Sequence, residues 1–513
     1  MSIARTSIIV TIFVILGVVL AFLSNMVIAM KFGARVDMDV FLAATTLPLF
    51  ITSILSSSLS FTFIPIFAEY RMTDPTEGWT VVSSFINLSF VVTAGICIVG
   101  IVFSEQITRI LVPGFTQSQV TQASALLSWL MPLIIFTAVN ELVASVYYSD
   151  NRFVVPSLNK VISPIVTMIY VFLFHETLST KSLALAMLTA AFLQTVILVV
   201  GFLKRQDYHF SFSINFKHPG VLKILNLMTP LVLGMIIYRA VPVFDRYFLS
   251  ELPVGSISHI GYAMKLISAL PTVIVSGISV SIFPIMARYA SEGKVSEVKH
   301  LMSKGLRMLF FMSLPIAIFF GVFGKMLVKL LFERGAFTPS DTLAVYYAFA
   351  IYIIALPSMV IGTLLGQGYY ILKDTVTTAV VGVGEMVFYV FLCYSLLQFL
   401  GFLAIPTALA AQFNIGAFLS ALILRYKFRN KGGVTILLSM LRHTIAALVP
   451  ITLIFVIFGV SMTESTIVLV FILVCFILYL LISRFVFATD EAISVCDKIM
   501  GMLRNIRSAL SKH

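Results

Sequence analysis

Stretches of about 20 apolar residues follow one another along this chain with only short polar interruptions, and that pattern decides its fold class. A helix rises about 1.5 Å per residue and the hydrocarbon layer of a bilayer is about 30 Å thick, so each stretch has the length of one crossing. Of the 513 residues 60% are hydrophobic and 11% are charged. An average soluble domain carries roughly 25% charged residues. This chain cannot cover a water-soluble surface, which excludes a soluble enzyme. The expected fold is an all-α integral membrane protein with about 14 transmembrane helices, beginning near residues 7, 40, 79, 123, 155, 182, 222, 256, 304, 342, 375, 402, 441 and 465.

The first apolar stretch, from about Ser7 to Met30, is longer than a signal-peptide core and is read as a retained first helix. Cys97, Cys393, Cys475 and Cys496 show no paired spacing, so neither a disulfide framework nor a zinc site is expected. The net charge of +12 sits in short connections rather than in a nucleic-acid-binding patch. Alternate connections are rich in Lys and Arg: Arg71; Arg152 and Lys160; Lys204, Arg205 and Lys217; Arg288, Lys294, Lys299 and Lys304; Lys373; and Arg425, Lys427, Arg429 and Lys431. The positive-inside rule places these in the cytoplasm with Arg5 and the tail residues Lys498, Arg504, Arg507 and Lys512, so both termini are expected there. The tail from about Thr489 is read as either a basic amphipathic helix on anionic headgroups or a solvated end.

The two halves of the chain resemble each other. FIPIFAEY (Phe63 to Tyr70) matches IFPIMARY (Ile282 to Tyr289), with Pro65 and Pro284 lying 219 positions apart. GFTQS with Phe115 matches AFTPS with Phe337, and Tyr147-Tyr148 matches Tyr369-Tyr370, both pairs at an offset of 222. Six spans separate the matches, so orientation is kept and the repeat is parallel. The expected organisation is a six-helix lobe over 1–205, a second over 206–430, two additional helices over 431–488 and a basic tail over 489–513. Two such lobes suit alternating access by rocking about a central cavity.

Charged side chains inside spans are costly and therefore functional candidates. Arg239 is expected to face the cavity, with snorkelling as its plain alternative, and Lys265, within the first turns of span eight from the outer side, could reach the same space; an anionic lipid head would satisfy both. Asp245 and Arg246 are assigned either to the cavity or to the outer headgroup level. Glu141 and Glu385 are isolated acids for which pairing with a base is the plain alternative, and Asp39 opens the second span, where it is also a candidate helix cap. Pro48, Pro132, Pro230, Pro271 and Pro357 are placed to kink spans. No catalytic or phosphate-cradling motif stands out, and no cofactor is expected.

Several segments resemble the lipid II flippase family (MurJ/MviN) of the larger flippase and multidrug-exporter superfamily: FGARVDMDVFLAATTLP (Phe32 to Pro48), FIPIFAEY, YYSDNRFVVPS ending at Ser157, FDRYFLSELPVGSIS (Phe244 to Ser258), IFPIMARYASEG, YYILKDT and above all LFERGAFTPSDT (Leu331 to Thr342). The resemblance covers nearly the whole chain. It implies a fourteen-helix, two-lobed, monomeric flippase of the bacterial cytoplasmic membrane that moves an undecaprenyl-pyrophosphate-linked oligosaccharide, by family default lipid II, from the inner to the outer leaflet. It implies Asp39 and, in place of a family arginine, Lys265 as substrate-binding, to which the charges read within span seven add Arg239, where related sequences hold an uncharged polar residue, and Arg246. It implies Asp245, Glu385 and Thr407 as a coupling-cation site, with Na+, H+ or the membrane potential as the drive. No other metal is implied with certainty.

The chain departs from the family where arginines are usual: the matching positions hold Val18, Ser24 and Thr52, and Lys265, preceded by Met264, replaces an Arg. That departure keeps open a flippase for another lipid-linked glycan, of capsule, exopolysaccharide or O-antigen. A cation-coupled drug antiporter, and an envelope scaffold or polymerising glycosyltransferase, are the readings from further afield.

Overall fold

The computed structural model describes residues 3–204, 215, 217–428, 434–458 and 465–497. Among them there is no strand. The helices are α1 (Ile3–Phe32), α2 (Val36–Thr73), α3 (Pro75–Val102), α4 (Ser104–Leu111), α5 (Gln117–Leu130), α6 (Leu133–Ser149), α7 (Val154–Ser157), α8 (Asn159–Leu178), α9 (Lys181–Leu203), α10 (Pro219–Tyr238), α11 (Val241–Leu249), α12 (Ser256–Ser291), α13 (Val295–Phe332), α14 (Pro339–Tyr352), α15 (Leu356–Ile371), α16 (Thr375–Leu400), α17 (Ala404–Lys427), α18 (Val434–Phe458) and α19 (Ser465–Phe485). Among the described residues twelve segments are long and apolar enough to cross a bilayer, and one of these, Val376–Lys427, is a 52-residue run holding both α17 and nearly all of α16. Counting those two helices separately and adding α19, which bends by 116° into Asp490–Asp497, gives the fourteen crossings expected.

Local chemistry explains where helices begin. Asp74 stops α2 and starts α3, accepting hydrogen bonds from the Thr76 and Glu77 amides at 2.8 and 3.3 Å, with Pro75 at the first helical position. Thr116 and Gln119 form a capping box at α5. Asp374 accepts from the Thr377 amide at 3.1 Å to open α16. Large apolar side chains such as Phe399, Val456 and Phe485 point outward, as lipid permits and water does not.

The chain divides into two compact units, Met1–His259 with Arg334–Thr338, and Ile260–Glu333 with Pro339–His513. In the first, α2, α3, α6 and α9 bury Phe63, Phe67, Trp79, Phe85, Tyr147 and Phe202 together. Arg71 lies 5.2 Å over the Trp79 ring and pairs with Asp150, closing the cytoplasm-assigned ends of α2 and α6. In the second, α13, α18 and α19 pack through Phe311, Phe319, Phe323, Ala446, Ala447 and Tyr479. Tyr479 donates to the Phe311 carbonyl at 2.8 Å, and Glu491, beyond α19, pairs with Arg307 at 2.8 Å.

The parallel repeat is written into the backbone at an offset of 222. Gly33 and Gly255, Asn151 and Lys373, and Ser179 and Gly401 are three pairs of left-handed residues at that spacing. Tyr147 donates to the Leu198 carbonyl at 3.3 Å, and Tyr369 does the same to Ser420 at 2.8 Å. The boundaries expected at 205/206 and 430/431 fall in segments outside the described residues, as do Arg205, Arg429, Lys431, Lys498, Arg504, Arg507 and Lys512.

Candidate functional site

The seventh span is broken at Arg239. Pro242, near the start of α11, has no N–H, and its ring opposes the carbonyl four residues back, so α10 ends at Tyr238 and Arg239 forms its C-terminal cap. The exposed Arg239 guanidinium donates to the Ser57 hydroxyl at 3.1 Å and lies 5.9 Å from the Tyr238 ring. Its neighbour on α2, Ser56, donates to Glu141 Oε1 at 3.0 Å. The serine run of α2 thus holds a cation on one side and an acid on the other.

Asp245 and Arg246 lie on α11, Asp245 buried and Arg246 half-buried. The end of α11 is fixed by the Ser250 hydroxyl, which accepts from the Gly114 amide at 3.2 Å.

Asp39 is buried and fully engaged. Its carboxylate accepts from the Gly255 amide at 2.6 Å, the Ser258 amide at 2.8 Å and the Ser258 hydroxyl at 2.5 Å. It therefore caps a helix, as the sequence allowed, but the helix is α12 and not its own α2.

In the second unit Lys265 on α12 is half-buried, with its ammonium 5.4 Å from the Tyr262 ring. Glu385 on α16 lies against Gly416 of α17 so closely that a Cβ there would stand 1.9 Å from its Oε1. Glu385 makes no ion pair among the described residues. Thr407 sits nine residues from Gly416 along α17, about 13 Å of helix, and its hydroxyl donates to Leu403 at 2.7 Å. The structure therefore does not bring Thr407 beside Glu385. At the positions matching family arginines, Ser24 and Thr52 are buried and Val18 is exposed. Among the described residues no group of three or more His, Cys, Asp or Glu converges.

A family model described as "Lipid II flippase MurJ" matches residues 28–484. The chain belongs to the lipid II flippase MurJ family. A probable lipid II flippase MurJ of Buchnera aphidicola subsp. Schizaphis graminum is 29% identical over 438 residues, covering 84% of each chain. One from Vibrio cholerae is 25% identical over 431 residues, covering 80% of this chain and 81% of its own. A solved lipid II flippase MurJ in an inward closed conformation superposes with a TM-score of 0.82 at 20% identity, covering 94% of this chain and 99% of that one. An inward-facing MATE family multidrug transporter of the MOP superfamily gives 0.69 at 14% identity over 80% and 94%. The protein is thus a multi-pass membrane member of a flippase family, not of an enzyme family.

Sequence reading found the charged side chains of this MurJ-family fold but not their partners. Ser57 beneath Arg239, Gly255 and Ser258 around Asp39, and Gly416 beneath Glu385 are small or neutral residues. No spacing rule connects positions so far apart in the chain.

Proposed function

We propose that this chain translocates lipid II, the undecaprenyl-pyrophosphate-linked peptidoglycan precursor, from the inner to the outer leaflet of a bacterial cytoplasmic membrane. The observation that carries the reading is the family match over 28–484 on a fold built from two parallel six-span repeats. A bulky anionic head must shed water to cross hydrocarbon, and fixed cations lower that barrier. Arg239, poised at a helix break and held by one neutral hydroxyl, and Lys265 supply such charge. In this reading Arg246 and Asp39 border the substrate path, with Asp39 acting through the α12 N-terminus it caps.

Transport proceeds by alternating access of the two lobes, 1–205 and 206–430, in a monomer, with both termini cytoplasmic. Asp245 and Glu385 are the acids proposed to couple it to Na+, H+ or the membrane potential; one charge moved across 100 mV is worth about 2.3 kcal/mol. Thr407 enters only through a conformation that carries it toward Glu385.

The buried, uncharged Ser24 and Thr52 favour a second reading, a flippase for another polyprenyl-linked glycan. Complementation of a strain depleted of its own lipid II flippase, with membrane expression checked in parallel, separates the two. Growth with restored lipid II export is the expected result. Failure despite normal expression transfers the assignment to a different glycan.

A further inference from the structure

We propose that Glu141 anchors a monovalent-cation site, taking Na+ or a proton, inside the first unit. A cavity of about 270 Å³ opens between α6, α8 and α9, lined among others by Asn140, Glu141, Tyr148, Asn159, Lys160 and Gln194. Glu141 projects from mid-span, and the one hydrogen-bond partner of its carboxylate among the described residues is the Ser56 hydroxyl. No Lys, Arg or His lies within ion-pairing distance of it among those residues. A carboxylate in that setting requires a neutralising partner.

The amides beside it supply the remaining ligands. Asn159 Nδ2 donates to Asn140 Oδ1 at 3.1 Å, which leaves Asn159 Oδ1 and Asn140 Nδ2 buried without partners. Turning both amides over reverses the bond and still leaves one carbonyl oxygen orphaned, so the vacant acceptor does not depend on how the amides were assigned. Gln194 Nε2 donates to the Asn159 carbonyl at 2.8 Å, which commits the amide nitrogen and leaves its Oε1 as an acceptor beside the cavity. One carboxylate among neutral oxygens balances one positive charge; a divalent ion takes more carboxylates than this cavity offers.

The repeat supplies an independent reason. Gln194 and Gly416 are 222 positions apart, the offset of the paired turns, and Gly416 is the residue that Glu385 covers. Each unit therefore places one membrane-embedded acid in its interior beside the same position of its sixth span. One comes from the fourth span and the other from the fifth.

Two other titratable groups line the cavity. Tyr148 shares α6 with Glu141, and Lys160, on α8, is exposed. Lys160 is the competitor, since its long stem would let it serve as the partner of Glu141.

The test uses the full chain purified in detergent and 22Na+ binding in an Asp245→Asn, Glu385→Gln background, so that both acids already proposed for coupling are silenced, only the Glu141 site is read and no assumption about the transported lipid enters. Sodium binding that falls about tenfold or more in affinity on adding Glu141→Gln, is weakened but kept with Glu141→Asp, and is unchanged or tighter with Lys160→Gln supports the Na+ form. Absence of sodium binding together with a protonated-carboxyl infrared band that titrates and vanishes in Glu141→Gln supports the proton form. Sodium binding that appears only after Lys160→Gln makes Lys160 the partner and overturns the proposal. Binding and infrared spectra indifferent to Glu141→Gln overturn it as well.

Discussion

Replacing Asp39 with alanine strands three donors at once, the Gly255 amide and the amide and hydroxyl of Ser258. Hydrogen bonds to a charged acceptor contribute about 1.5–3 kcal/mol each without being additive, so a loss of about 3 kcal/mol or more is expected. A lowered thermal midpoint in detergent, with a smaller drop for Asp39→Asn, is the outcome to look for; an unchanged midpoint would show that the cap is dispensable. Gly416 makes the opposite case, because adding one carbon there evicts Glu385. Gly416→Ala should cut cation-dependent transport as strongly as Glu385→Gln; full activity would separate Glu385 from coupling. Arg239, Lys265, Glu141 and Glu385 were legible at this scale because a charge in an apolar run announces itself. The neighbours that give each its setting were not, since Ser57 or Gly416 looks ordinary until the helices are packed.

Helix ends carry glycines whose backbone demand can be tested one turn at a time. Gly33 has φ +61°, and a Cβ on it would lie 2.4 Å from the Ala336 carbonyl oxygen, whereas Gly401 has φ +54° with nothing within 4 Å. The left-handed conformation costs an L side chain roughly 1–2 kcal/mol in either place. Gly33→Ala should therefore lower the thermal midpoint more than Gly401→Ala, because only the first adds a backbone clash. The turn before α16 offers a pH test. The Lys427 ammonium beside Asp374, helped by the Thr377 hydroxyl and amide, holds that carboxyl down to about 2. A depressed carboxyl stabilises the folded state above its ordinary value near 3.8 and loses that effect as pH falls toward 2. The midpoint difference between wild type and Lys427→Gln should then be present at pH 6 and shrink in that window; a constant difference would mean the contact is not ionic. Apolar length made all fourteen crossings readable from the chain, and the matched motifs at offsets of 219 and 222 made the parallel repeat readable. The short α4, hidden in a polar connection, and the break at Pro242 were not, because hydropathy averages over them, whereas the break between α5 and α6 falls at Pro132, one of the prolines expected to kink a span.

At the level of the whole protein, charge removal is the decisive perturbation. The double substitution Arg239→Gln and Lys265→Gln should abolish lipid II export while leaving the protein folded in the membrane, and normal export by that variant would remove both residues from the substrate path. Each single substitution should leave a measurable residue of export, since in the proposed reading the remaining cation still offers charge to the anionic head. The repeat also bears on ancestry. Six spans return a chain to the side on which it started, so joining two copies of a six-span gene head to tail gives a working topology without either copy turning over. The position matching Glu141 in the second half is Thr363, and the position matching Glu385 in the first is Ser163. Neither acid is shared, so the two halves have diverged at both positions since the doubling, and each scaffold now carries its embedded carboxylate in a different span.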